Sequence, residues 1–321
     1  IGLVSGQAEV WIVPELGARI ASLRDRRTGR EWCWRRADAP WLWANQPGDA
    51  FFDSPHAGID ECLPTVGACR HAGRALPDHG EVWSRAWRLE PSQADEIACA
   101  VDVPGGGYRF RRTLALDGAE LRLHYRLENH GAIPLDFLWS LHPLLAIQPG
   151  DEIDLPSEIT RFDAEVPRLP DGQRPSWTWP ATDGARLDRL ELPAAASGCA
   201  KLFAGPLRTG RAALYHPGTG DRLEFVWDVA SQPWLGLWFT RGGYQGWHHC
   251  AIEPTNAPSD TLADAPATAA DLRRVPPNDA REWTLRLRMG QAASVGLDLW
   301  SMPCSHAQRA WPRGPALHPD S

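Results

Sequence analysis

Glu253 closes an apolar run in the stretch HHCAIEPTNAPSD and is followed at once by a proline. A carboxylate at the end of a buried strand is costly unless it is paired, hydrogen-bonded or used in chemistry. Three other residues raise the same question. His142 lies in the apolar stretch DFLWSLHPLLAIQPGD, and Pro143 after it requires the strand to end or bulge there. A histidine in that place either fills the core or is turned toward a cleft. His79, in LPDHGEVW, precedes a glycine that is free to take unusual backbone angles. Lys201, in SGCAKLFAGPL, is the chain's only lysine. One carboxylate and one imidazole suffice for general acid/base chemistry near neutral pH, with no metal and no other cofactor.

Other groupings carry less. Asp60 and Glu61 are adjacent in GIDECLPTVGAC, and neighbours on a strand face opposite ways. They cannot line one pocket as a pair, and a turn at a sheet edge is as natural a place for them as a binding role. The same alternation parts His248 from His249, so no metal site is expected there. No G-x-S-x-G, P-loop or dinucleotide-binding glycine motif occurs. The seven cysteines include no C-x-x-C pair, which speaks against a zinc ribbon or a disulfide framework.

The elements that must position these residues read as strands. RTLALDGAELRLHYRLEN (112–129) alternates Leu121, Leu123, Tyr125 and Leu127 with Arg122, His124 and Arg126, around an Asp-Gly turn. AALYHPGTGDRLEFVWD (212–228), AEVWIVPELGARIASLRD (8–25) and EWTLRLRMG (282–290) follow the same plan. TLADAPATAADLRR (261–274) is the best helix candidate, short and interrupted by a proline. The expectation is an all-β protein, a large antiparallel β-sandwich with few short helices, forming one domain over 1–305. A Pro-rich tail is expected over 306–321.

Composition narrows the partners. The chain's 321 residues are 43% hydrophobic and 23% charged with a net charge of −7, which suits a packed core and disfavours nucleic acid. No apolar run is long enough to span a membrane, and a soluble, cytoplasmic protein is expected. The 17 tryptophans against 4 tyrosines exceed what a core needs. Those in the loop-like stretches 40–49 and 175–184, together with Trp238, are expected to form pocket walls, since flat aromatic faces suit the C–H surfaces of sugars.

Taken in order, VPELGARIASLRDRRTGREW, GIDECLPTVGA, LPDHGEVWSRAW, LWSLHPLLAIQPGD and CAIEPTNAPSDTLADA resemble the galactose mutarotase-like group, the aldose 1-epimerases and their relatives. The resemblance spans nearly the whole chain. It implies a large antiparallel sandwich with a sugar-binding cleft on one face, and a small-molecule sugar as partner. It also implies that Glu253 is the general base, His142 the general acid, and His79 a ligand of the sugar near its ring oxygen. Ring opening takes a proton from the anomeric hydroxyl and gives one to the ring oxygen; rotation about C1–C2 and closure yield the other anomer. No metal, nucleotide or covalent intermediate is implied. In one respect the chain departs from the group: the aspartate that holds sugar hydroxyls on a later loop has no clear counterpart, and Lys201 stands in that region. Lys201, helped by Arg74 or Arg85, would suit an anionic sugar such as a phosphorylated or sulfonated hexose; alternatively it is a surface residue. A non-catalytic sugar-binding protein on the same fold is the rival reading. A glycosidase would want a second persuasive carboxylate, and a Schiff-base enzyme would need Lys201 in a desolvated pocket.

Overall fold

A computed structural model describes residues 1–291 apart from 38–39, 41–42, 183–184 and 191–197. The expected tail at 306–321 therefore lies outside the described residues. Two large antiparallel sheets dominate. The ten-stranded sheet runs, edge to edge, through Gly2–Val4, Ala8–Val13, Arg19–Asp25, Ile59–Cys62, Ser140–Pro143, His248–Thr255, Trp234–Arg241, Cys199–Ala204, Arg161–Val166 and Ser176–Thr178. A nine-stranded sheet packs against it, with Ala280–Gln291 and Glu120–Asn129 at its centre.

The predicted hairpin is present, with Tyr108–Asp117 returning as Glu120–Asn129 and Asp117 facing Glu120 across the turn. Leu121, Leu123, Tyr125 and Leu127 are all fully buried, so period-2 alternation has put one face into the core. The second hairpin is Arg211–Tyr215 with Asp221–Trp227. Side chains from both sheets, among them Leu123, Tyr125, Trp139, Leu202, Leu237, Ile252 and Trp283, merge into one apolar layer between them.

The 261–274 segment forms turns and a single 3-10 turn at Ala270–Arg273, within the short helix expected there, since Pro266 denies a longer one its hydrogen bond. One expectation needs correcting: Asp60 and Glu61 are at no edge. Their strand runs between Arg19–Asp25 and Ser140–Pro143, and both side chains are fully buried. Each carboxylate is matched by a guanidinium, which is what lets an interior strand carry two charges. Asp60 takes two hydrogen bonds from Arg19, at 2.9 and 3.0 Å. Glu61 points between the sheets to Arg112, Tyr125 and Trp139.

Candidate active site

In the ten-stranded sheet, Ile252, Cys250, Leu237 and Leu202 face the core. Their neighbours along each strand therefore face the other way. Glu253, Ala251 and His249 share that outer face with Trp238 and Lys201, because the register sets Trp238 opposite both Ala251 and Lys201. The Ser140–Pro143 strand continues the surface on the other side. Ser140 pairs with Thr255 and Leu145 with Cys250, and this register brings His142 level with Glu253. Cross-strand neighbours of this kind stand about 5 Å apart at Cβ. A base and an acid encoded more than a hundred residues apart thus become adjacent on one sheet face.

Loops close the surface into a cavity of about 180 Å³, lined by Phe51, His56, Val66, His79, His142, Leu144, Val166, Lys201, Trp238, Tyr244, His249, Glu253 and Asp260. This is smaller than the roughly 300–1,000 Å³ of pockets for drug-sized ligands, and it suits a small molecule. His79 reaches it from a tight loop, with φ of 58°. Gly80 after it has φ of 79°, and a Cβ there would meet the Leu63 carbonyl oxygen at 2.1 Å, so only glycine permits that path. The His79 ring stacks on Phe51 with centroids 3.9 Å apart and meets His142 edge-on at 4.7 Å. Asp78 accepts from His79 Nδ1 at 2.9 Å, which leaves Nε2 as the atom open to a ligand.

The electrostatics centre on Glu253, which is 1% exposed. Its Oε2 accepts a hydrogen bond from Lys201 Nζ, while Oε1 is buried with no partner among the described residues. Burial pushes the Glu253 carboxyl up, and the adjoining Lys201 only partly offsets it. Lys201 is itself buried, which corrects the surface alternative. Burial alone would lower its pKa, but Asp260 and Glu253 outweigh that and keep the ammonium charged. Its Nζ lies 3.5 Å from Asp260 Oδ1. His142 goes the other way: burial, with His79 and Lys201 nearby, holds its pKa well below the usual imidazole value. Its Nδ1 is likewise buried without a partner among the described residues. A carboxyl pushed up and an imidazole pushed down bring two proton affinities toward each other, the condition for easy proton exchange through a substrate. Gly236, opposite Glu253, keeps the space clear, since a Cβ there would lie 3.2 Å from Oε2.

Five of the expected site residues are therefore gathered in one cavity: Glu253, His142, His79, Lys201 and Trp238. Arg74 and Arg85 are not part of it. Arg74 forms an ion pair with Glu81, and Arg85 Nε donates to the Glu81 carbonyl oxygen at 2.9 Å. Neither side chain lines the cavity, so nearness to His79 in sequence does not bring it there. Among the described residues, no tryptophan of the Trp-rich loops lines the cavity; Trp41 lies outside the described residues. Trp177 and Trp179 pack against the sandwich core, and the cavity's described lining includes Phe51, Trp238 and Tyr244. Sequence reasoning missed His56, His249 as a lining residue, and Asp260, the last residue of the HHCAIEPTNAPSD stretch. The His248–His249 doublet was the one available signal: alternation puts one ring on the cavity face, and it is His249, 1% exposed.

Comparison with known proteins agrees with this architecture. A protein of Synechocystis sp. PCC 6803 superposes with a TM-score of 0.69 at 17% identity, covering 91% of this chain and 96% of that one. A galactose mutarotase-like protein from Lactobacillus casei ATCC 334 gives 0.66 at 16% identity over 90% and 99% of the two chains. A galactose mutarotase related enzyme from Lactobacillus acidophilus gives 0.64 at 15% identity over 91% and 97%. At such identities the likeness speaks for the fold. No curated protein matches the chain. Residues 2–271, however, match the sequence profile of the aldose 1-epimerases, and the chain belongs to that family.

Proposed function

We propose that this protein is a mutarotase that interconverts the α and β anomers of a neutral hexose, with Glu253 and His142 exchanging protons with the sugar. The observation that carries the reading is the buried Oε1 of Glu253, without a partner among the described residues, on a residue level with His142, whose Nδ1 likewise lacks one, in a small aromatic-lined cavity. Adjacent placement of the two groups serves this chemistry, because the anomeric oxygen and the ring oxygen are both bonded to C1. An ionised Glu253 takes the anomeric proton while His142, in its protonated form, delivers one to the ring oxygen. The C1–O5 bond breaks as the C1 carbonyl forms, and closure after rotation reverses both transfers. One proton on the pair is enough for each half of the cycle, and its holder acts as the acid.

The neutral substrate follows from charge. The cavity's ammonium, Lys201, already faces Glu253 and Asp260, and Arg74 and Arg85 lie elsewhere. Among the described lining residues, a phosphate or sulfonate would meet one cation and two carboxylates. Exchange spectroscopy by NMR tests the reading with glucose, galactose, a hexose 6-phosphate and a sulfonated hexose. Acceleration of the neutral sugars that disappears in Glu253→Gln supports it. Binding without acceleration would leave a sugar-binding protein, and acceleration confined to an anionic sugar would overturn the neutral assignment.

A further inference from the structure

His56 and His249 line the same cavity but have no part in the proton transfers above. Both rings are 1% exposed, and each has one nitrogen engaged and one without a partner among the described residues. The engaged atoms fix the tautomers. His56 Nδ1 lies 2.7 Å from the Ser54 carbonyl oxygen, which can only accept, so the proton is on Nδ1 and Nε2 carries the lone pair. His249 Nε2 lies 3.2 Å from Trp238 Nε1, an indole N–H that can only donate, so the proton of His249 is on Nδ1. Burial depresses both groups, His56 to about 4 and His249 to about 3, and both are neutral near pH 7. The two rings that line the cavity therefore carry one fixed acceptor and one fixed donor, each buried and without a partner among the described residues, an arrangement that is expensive unless a ligand completes it.

We propose that His56 Nε2 and His249 Nδ1–H recognise hydroxyl groups of the sugar remote from C1, the first accepting from a hydroxyl and the second donating to one. His249 is four residues before Glu253 on the same strand and the same face, displaced along the strand from the reacting centre. A hydroxyl is the group that both donates and accepts. A carboxylate or phosphate in that place would satisfy His249 and set its own lone pairs against that of His56; an ammonium would do the reverse. The inference rests on the mutarotase reading and extends it to the substrate class: an aldose whose far end carries free hydroxyls, in preference to the corresponding uronate.

The test uses the full-length protein with glucose, its 3-, 4- and 6-deoxy analogues and glucuronate. His249→Phe and His56→Phe keep ring volume and remove the nitrogens. Each variant should lower kcat/KM for the best sugar by roughly tenfold, and that penalty should vanish on the one deoxy analogue lacking the recognised hydroxyl. A penalty equal on all analogues would make the rings structural and overturn the proposal. Nitrogen-15 NMR of the labelled wild type needs no variant. Saturating sugar should shift His249 Nδ1 and His56 Nε2, and unmoved resonances in the sugar complex would also overturn it. If the rings respond to sugar but no anomer exchange is accelerated, recognition stands and the mutarotase reading falls. If exchange is accelerated and the rings do not respond, the reverse holds. A protein that binds none of these sugars sinks both.

Discussion

Glu61 and Glu253 are both fully buried glutamates of one sheet, and burial pushes both carboxyl groups up. They differ in what surrounds them. Glu61 uses both oxygens: Oε1 accepts from Arg112 at 2.8 Å and Tyr125 at 2.9 Å, and Oε2 from Trp139 at 2.9 Å. Glu253, which lines a cavity, uses Oε2 toward Lys201 and leaves Oε1 without a partner among the described residues. A saturated carboxylate between two sheets has nothing left to offer a ligand. A half-saturated one in a cavity does. Burial depth and the direction in which the pKa moves fail to separate a structural carboxylate from a chemical one; the count of unfilled lone pairs does.

Exchanging the two roles gives the largest expected effects. Glu253→Gln should lower anomer exchange on the order of 10²–10⁴-fold, the range of a general base, while the fold survives because Lys201 keeps Asp260 as a partner. Glu61→Gln should do the opposite. It leaves Arg112 buried without its counter-charge, at a cost of about 3–5 kcal/mol, while activity per folded molecule persists. Denaturant midpoints and exchange rates on the two variants decide this. A Glu61→Gln protein of normal stability, or a Glu253→Gln protein that is unfolded, would break the contrast.

A smaller effect sharpens it. Lys201 is the neighbour that lowers the Glu253 pKa against burial, while Asp260 raises it and His79 lowers it. Lys201→Met therefore lets the carboxyl rise further. The ionised base is then lost at a higher pH, and the acidic limb of the kcat/KM profile should move up. At a fixed pH on that limb, the rate should fall up to about tenfold for each pH unit that the limb moves. A uniform drop in rate with an unmoved limb would mean that Lys201 acts through shape alone.

The same distinction explains what could be read in advance. The sandwich was legible because burial follows period 2, and Leu121, Leu123, Tyr125 and Leu127 mark the inner face by themselves. Glu253 and His142 were legible as charges in apolar strands. That they stand side by side was not, since it depends on the Ser140–Thr255 register between distant segments. His56 and Asp260 gave no local sign, for loops carry no periodicity. Lys201 could be seen as singular, but whether its charge is available to a ligand depends on Asp260, a loop residue 59 positions away in the sequence.

Arg74 and Arg85 provide the smallest expected effect and the strictest test of the neutral-sugar assignment. Both flank His79 in the sequence, and an anionic substrate would give them a purpose. In the fold both are turned to Glu81, which also accepts from the Tyr108 hydroxyl at 3.1 Å. Arg74 is partly exposed, so its ion pair is worth about 0–1 kcal/mol; Arg85 contributes one hydrogen bond to a carbonyl, about 1 kcal/mol. Arg74→Ala and Arg85→Ala should therefore leave kcat/KM for a neutral hexose within about twofold of wild type, the size of effect expected of groups that touch neither substrate nor base. The informative arm is the hexose 6-phosphate. If either variant selectively raised KM for that sugar, the binding surface would extend past His79 to the Glu81 cluster and an anion would have a place to sit. Equal, small effects on both sugars would keep charge recognition out of this site and leave hydroxyl recognition as its means of choosing a substrate.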